Sequence, residues 1–298
     1  MTINNDAFGN YYIGNYISPD QFGGVLSGTN LISLIRTALG SNDRAFYNSS
    51  GINFVISWRP NLPSETLTGA ITSSPGVGSN PTLPANSRML LSYTTSSSSI
   101  YAKTTVGNSQ AAASNFNMSN LFATDKIWAT VNAASISIYM QNTDPARHVF
   151  LSQGVLENSS LPYPENLYSL FLYNYTTTWR ARGDAYTSVV NIAHSFGANA
   201  NYAHNRLSDG TPTTSEVELY VRDATTNNPY GFIPNVFKWK VDGSEVAPNI
   251  GDTVRLNLAN ATGYYAGQGI IYCKVVGRLG NTTESDGGGD YILMRTFG

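Results

Sequence analysis

The chain has 298 residues, of which 17 are basic and 19 acidic; the charged share of 12% is about half the roughly 25% of an ordinary soluble domain. A net charge of −2 excludes an electrostatic nucleic-acid binder, which needs clustered Lys and Arg to displace counterions. Hydrophobic residues at 41% and aromatics at 12% supply a real core and exclude wholesale disorder. Cys273 is the sole cysteine, so neither an intrachain disulfide nor a multi-cysteine zinc site can form. The N-terminal Met-Thr-Ile-Asn-Asn-Asp lacks the basic and apolar regions of a secretory signal, which predicts folding in the cytosol. No run approaches the ~20 apolar residues of a membrane span, so no membrane insertion is expected. Six Asn-X-Ser/Thr triplets, beginning at Asn48, Asn117, Asn158, Asn174, Asn260 and Asn281, are then a by-product of an Asn/Ser/Thr-rich composition.

Residues 1–25 form an N-terminal arm or first strand. Tyr12, Gly14 and Tyr16 alternate there with Tyr11, Ile13, Asn15 and Ile17, a period-two pattern. It suits pairing within the chain or with a neighbouring subunit. One helix is predicted near 30–39: Thr29 or Asn30 can cap it, Leu31, Ile32, Leu34, Ile35, Ala38 and Leu39 make the apolar stripe, and Gly40 occupies the C′ position.

From residue 52 the pattern becomes β. Strands are predicted at 52–58, 89–94, 100–106, 127–131, 136–140, 149–151, 185–193 and 217–222, and 167–175 reads as helix or strand, with its aromatic content favouring strand. A Pro-rich stretch over 60–86 reads as a long exposed loop. Pro162 and Pro164 mark a turn at 161–166, and 195–215 is an Asn/Ala/Gly-rich connection. A boundary is expected at 225–229, which divides a β-rich body (26–226) from a small C-terminal barrel or sandwich module (227–298). Strands at 236–241, 253–258, 270–276 and 291–296 would build that module. The expected class is mainly β: a sandwich or barrel body, one N-terminal amphipathic helix, and the small module.

Reaction chemistry is sparse. P-loop, dinucleotide, nucleophile-elbow and His-Glu-x-x-His motifs are all missing. His148, His194 and His204 are too far apart in sequence to suggest a metal site. Glu216 and Glu218 fall on one face of a predicted strand, with Asp184 and Asp223 nearby. A carboxylate pair of that kind could serve glycoside hydrolysis, although a solvated strand face is the preferred reading. Asp286 and Asp290 enclose three glycines and read as a tight turn rather than a calcium loop. Cys273 reads as a buried small hydrophobe. No catalytic residue, metal or cofactor is therefore assigned. Tyrosines near Asn, Gly or Pro are the remaining feature, because a Tyr ring offers an apolar face and a hydrated hydroxyl suited to interfaces and sugar stacking. Tyr264 and Tyr265, then Tyr11, Tyr12 and Tyr16, are the candidate glycan or partner contacts.

A low-charge, Ser/Thr/Asn/Gly/Tyr-rich β chain of this kind resembles the virion structural proteins of tailed bacteriophages and related contractile injection machines. The stretches Tyr230-Gly231-Phe232-Ile233-Pro234-Asn235 and Tyr291-Ile292-Leu293-Met294-Arg295-Thr296 resemble small terminal modules of such tail-associated proteins. The resemblance transfers no site residues. It implies a non-enzymatic assembly component located in the virion and assembled in the host cytoplasm. Such a component is a homo-oligomer, with a trimer favoured, that meets other virion proteins and contacts host surface glycans. The absence of long heptads or short repeats excludes a fibre shaft and leaves a fibre tip, baseplate or capsid-decoration subunit. A free carbohydrate-binding module and a glycan-degrading enzyme are the alternatives.

Overall fold

A computed structural model describes residues 3–13, 28–50, 53–72, 81–94, 99–105, 108–112, 126–141, 148–173, 189–194, 200–204, 218–223, 228–241, 248–259, 261, 263–279 and 289–297. Within them lie one α-helix and three antiparallel sheets, so the chain is mainly β with a single helix. The seven-stranded sheet A has the order β1 (Ile3–Asn5), β2 (Tyr11–Ile13), β8 (Lys126–Val131), β9 (Ser135–Gln141), β10 (His148–Val155), β11 (Leu167–Tyr173), β12 (Val189–His194). Sheet B is a five-stranded meander of β3 (Ala45–Ser50), β4 (Asn53–Trp58), β5 (Met89–Thr94), β6 (Ser99–Thr104) and β7 (Asn108–Ala112). The six-stranded sheet C runs β13 (Ala200–His204), β14 (Glu218–Asp223), β15 (Pro229–Val241), β18 (Gly289–Phe297), β17 (Gly269–Leu279), β16 (Thr253–Leu258).

Sheet A is the middle layer. Strand alternation sends Val131, Ile138, Met140, Val149, Leu151 and Leu167 into a core shared with sheet B and the helix. It sends Trp128, Tyr139, Phe150, Tyr168 and Leu170 into a second core shared with sheet C. In sheet C, Tyr291, Ile292, Leu293 and Met294 are all buried in succession, so β18 is covered on both faces. Sheet C packs β15, β17 and β18 on sheet A, and its other face forms an interior with Leu256, Leu258, Tyr265 and Ile271. It is a curled half-barrel rather than a flat layer. The expected boundary at 225–229 falls between β14 and β15, which pair directly. Residues 227–298 contribute β15 to β18, and the body contributes the remaining two strands of the same sheet.

The helix spans Gly28–Ala38, so Thr29 and Asn30 lie inside its first turn instead of capping it. Leu31, Leu34, Ile35, Ala38 and Leu39 are buried, as the i, i+3, i+4 stripe demands. Gly40, at φ 72°, ends it: Ser41 N–H donates to Arg36 C=O at 3.2 Å and Gly40 N–H to Thr37 C=O at 3.1 Å, the paired bonds of a Schellman stop. The Tyr11–Ile13 strand is a member of the chain's own sheet, paired with β1 and β8. The stretch expected as an exposed loop at 60–86 has no strand among its described residues, yet it is tied down. Arg59 is 3% exposed and donates to the carbonyls of Gly69 at 2.6 Å and Asn86 at 3.1 Å. Glu65 pairs with Arg88 at 3.0 Å and accepts the Tyr163 hydroxyl. Strands β3 and β7 were not expected, and β13 falls within the segment read as a connection.

Gln153 pins sheet B to sheet A. It is fully buried, accepts from Trp58 Nε1 at 2.9 Å, and places Nε2 at 3.1 Å from both the Leu90 and Lys103 carbonyls and 2.8 Å from Ser169 Oγ. Replacing it with a methionine of similar volume strands those partners in a dry core. Gln153→Met is expected to lower unfolding free energy by about 2–4 kcal/mol, measured by urea denaturation. An unchanged midpoint would show that the bridge contributes nothing.

Candidate functional site

The most concentrated polar chemistry in the described chain sits where the first and last strands meet. Arg295, on β18, is 0% exposed. Burying an ion without compensation costs several kcal/mol, so its surroundings must neutralise it. The loop between β1 and β2 supplies Asp6, whose Oδ2 lies 3.1 Å from an Arg295 terminal nitrogen. Gln268 Oε1 accepts from the other terminal nitrogen. The guanidinium carbon stands 5.9 Å from the ring centres of both Phe8 and Tyr12, within cation–π range. Thr130 on β8 donates to the Arg295 carbonyl and so joins sheet A to the same point.

Asp6 is saturated. One carboxylate oxygen accepts from the Phe8 and Asn10 N–H groups at 2.9 and 3.0 Å, and the other from Asn10 Nδ2 at 3.0 Å and Tyr12 Oη at 2.5 Å. Desolvation raises the Asp6 pKa, but these hydrogen bonds and the Arg295 charge outweigh it and hold the carboxyl below its usual value of 3.8. Asn10 extends the network by accepting from Asn235 Nδ2 at 2.7 Å and Asn132 Nδ2 at 3.4 Å. With its lone pairs engaged, Asp6 is a counter-ion and is not placed to act as a base.

Tyr264 belongs to a 3-10 turn at Gly263–Tyr265 that covers this cluster. Its ring packs edge-on against Phe232 and Tyr265 at 5.3 and 5.0 Å, and its hydroxyl bonds to Glu157. Desolvation raises the Glu157 carboxyl above its usual range. The backbone of Glu157 pairs with Phe232 through N–H to O bonds of 3.0 and 3.1 Å. Gly231, at φ 150°, lets this contact form, because a Cβ there would lie 2.8 Å from the Glu157 carbonyl.

Several expected contacts need correction. Tyr265 and Tyr12 are core residues, 0% and 2% exposed, and neither can meet a glycan or a partner. Tyr11 is half-buried against the sheet B core. Tyr264 is open at 38%, and Tyr16 lies outside the described residues. Glu218 is 5% exposed and accepts the Tyr220 hydroxyl; desolvation raises its pKa. Glu216 and Asp184 lie outside the described residues, and Asp223 falls at the end of β14. Cys273 is fully buried, with its thiol pushed up to about 12 by desolvation, as expected of an inert small hydrophobe. His148, His194 and His204 fall on β10, β12 and β13. Among the described residues no three His, Cys, Asp or Glu side chains are grouped to hold a metal, and no helix is long and apolar enough to cross a membrane. The 286–290 turn falls mostly outside the description. Sequence reasoning missed Asp6, Asn10, Gln268 and Arg295.

No family model, curated protein or solved structure matches the chain.

Because the folded Asp6 pKa is depressed, its stabilising contribution is present above the unfolded value and is lost as pH falls through the folded value. Asp6→Asn is expected to cost about 3–5 kcal/mol at neutral pH by leaving Arg295 without its counter-ion. It should also flatten the acid limb of stability below about pH 4. Thermal melts of both proteins across pH 2–7 check this; parallel curves would show that the pair carries no stability.

Proposed function

We propose that this chain is a non-enzymatic structural subunit of a tailed-phage-like particle that associates with copies of itself and with other virion proteins through neutral polar and aromatic faces. The supporting observation is where the few charges sit. Of 36 ionisable Lys, Arg, Asp and Glu side chains, Arg59, Glu218, Lys238, Lys274 and Arg295 are buried, and Asp6, Glu65 and Arg88 serve internal pairs. The exterior thus draws on a small set of charges, well below the roughly 25–35% of charged residues usual on a soluble surface. A neutral exterior lowers the desolvation cost of covering a surface with another subunit, whereas a freely diffusing protein gains solubility from charge. The subunit belongs at a fibre tip, baseplate or capsid surface.

The test is to fractionate gradient-purified particles and quantify the chain by mass spectrometry. A constant stoichiometry with the capsid protein is expected; a chain recovered only in the soluble fraction overturns the reading. Carbohydrate contact is a second reading, favoured by two exposed rings, Phe8 at 48% and Tyr264 at 38%, that both neighbour Arg295. If it holds, Phe8→Ala and Tyr264→Ala each weaken binding on a glycan array by about 1–2 kcal/mol, the scale of one lost ring contact, at a temperature where circular dichroism shows both variants folded. No glycan bound by the unaltered protein removes it.

A further inference from the structure

We infer that a second copy of this chain pairs with the outer edge of β16, antiparallel about a two-fold axis at Leu256, so that sheet C continues across two subunits. The inference rests on the self-association part of the reading above and supplies its surface.

The other sheet edges are covered or short. Strand β7 of sheet B lies against β12 of sheet A, and β12 against β13 of sheet C. The helix packs on β3, where Arg36 Nε donates to the Ala45 carbonyl at 3.1 Å. Strand β1 has three residues. Strand β16 has six residues and, among the described residues, pairs in its sheet only with β17, in unbroken register from Thr253↔Lys274 to Leu258↔Gly269. Its outer main-chain groups form a ready template for another strand. The usual guards are missing: β16 contains no proline, lysine or bulge, and its only charge is Arg255.

The strand itself indicates what should cover it. Around a two-fold axis perpendicular to a sheet, residues facing each other across an antiparallel pair share a face. Centring the axis on Leu256 sets Val254 opposite Leu258 and Arg255 opposite Asn257. The inner row is then apolar throughout, and each guanidinium meets a neutral amide. Centring it on Arg255 would oppose two like charges, which destabilises a cross-strand pair. The apolar–polar–apolar–polar–apolar order of residues 254–258 thus reads alike in both directions. Exposure agrees: Arg255 and Asn257 face solvent, while Leu256 and Leu258 are buried. Ile270, opposite Asn257 on β17, is 40% exposed and flanks the joint. Pairing would add about four to six main-chain hydrogen bonds. A two-fold joint gives even-numbered assemblies, unlike the trimer that the resemblance implies.

Charge at position 257 tests the register in both directions. Asn257 Oδ1 accepts the Ala259 N–H at 3.0 Å, and Asn257→Asp keeps that acceptor while opposing Arg255 of the second copy with a carboxylate. Asn257→Lys opposes it with a cation. Sedimentation equilibrium of the purified full chain is expected to show a monomer–dimer equilibrium. Asn257→Asp should tighten it by about 2- to 30-fold and Asn257→Lys weaken it comparably, because two symmetry-related pairs change together. Both effects should shrink at high salt, with circular dichroism unchanged. A monomer at every concentration in both the unaltered and Asp proteins overturns the joint. So do equal shifts in both variants, or a trimer indifferent to them. A dimer with this charge response that is absent from particles overturns the particle reading alone; a particle-bound chain without the response overturns the joint alone.

Discussion

The buried Arg295–Asp6 pair constrains more of this structure than any other single contact. A guanidinium with no exposed surface cannot be left to solvent, and its counter-ion comes from the opposite end of the chain. The loop holding Asp6 must therefore be in place wherever the last strand is buried. That loop's own geometry is set by the same carboxylate, which gathers the Phe8 and Asn10 N–H groups much as an Asx turn does. Asn10 then reaches Asn132 on the sheet A side and Asn235 on β15. A short hairpin at a sheet edge would fray if it stood alone. Here it is held by a hydrogen-bonded charge and by β2–β8 pairing, and it closes the junction between sheets A and C.

The two faces of sheet A show how a neutral composition serves a three-layer architecture. Toward sheet B the face is mainly aliphatic, and Gln153, with Ser169 beside it, is the polar member that bonds across the layers. Toward sheet C the face mixes aromatic rings with hydroxyls: Ser137, Ser152 and Tyr168 form a chain with both separations at 2.9 Å. Small hydroxyls can satisfy one another within a sheet face, whereas Lys or Glu at those positions would each need a partner. Scarcity of charge is thus partly an internal requirement, since a strand buried on both faces has no wet side to carry ions. The remaining scarcity belongs to the exterior, and only that part bears on association.

Most strands were legible because their alternation or apolar runs are local: β4, β5, β8, β9, β16 and β17 occur close to where period-two patterning places them. Strands β3 and β7 were not. Their sequences, Ala-Phe-Tyr-Asn-Ser-Ser and Asn-Ser-Gln-Ala-Ala, carry little β signal, and pairing with a neighbouring strand holds them. Tyr264 and Tyr265 show the same limit at a single site. Flanking Gly and Ala residues suggest that both rings are open, but the 3-10 turn sends Tyr264 outward and Tyr265 into the core, 4.9 Å from Phe237. The Asp6–Arg295 pair left no local trace, because nothing near either residue specifies a partner almost a whole chain away.

Phe8, Tyr264 and Ile270 are the exposed large hydrophobic residues of the described chain, and each stands on a segment that holds or adjoins a member of the Arg295 cluster. Phe8 lies within cation–π range of its guanidinium, Tyr264 packs on Tyr265 in the 3-10 turn, and Ile270 is two residues beyond Gln268, whose side chain accepts from Arg295. Apolar groups on a frayed loop would lose conformational entropy on contacting anything. These three stand instead on elements fixed from beneath by a saturated ion pair, a strand pairing and a packed 3-10 turn. The polar cluster thus acts without being touched: Arg295 is closed to solvent, and its partners tie down the surface above it.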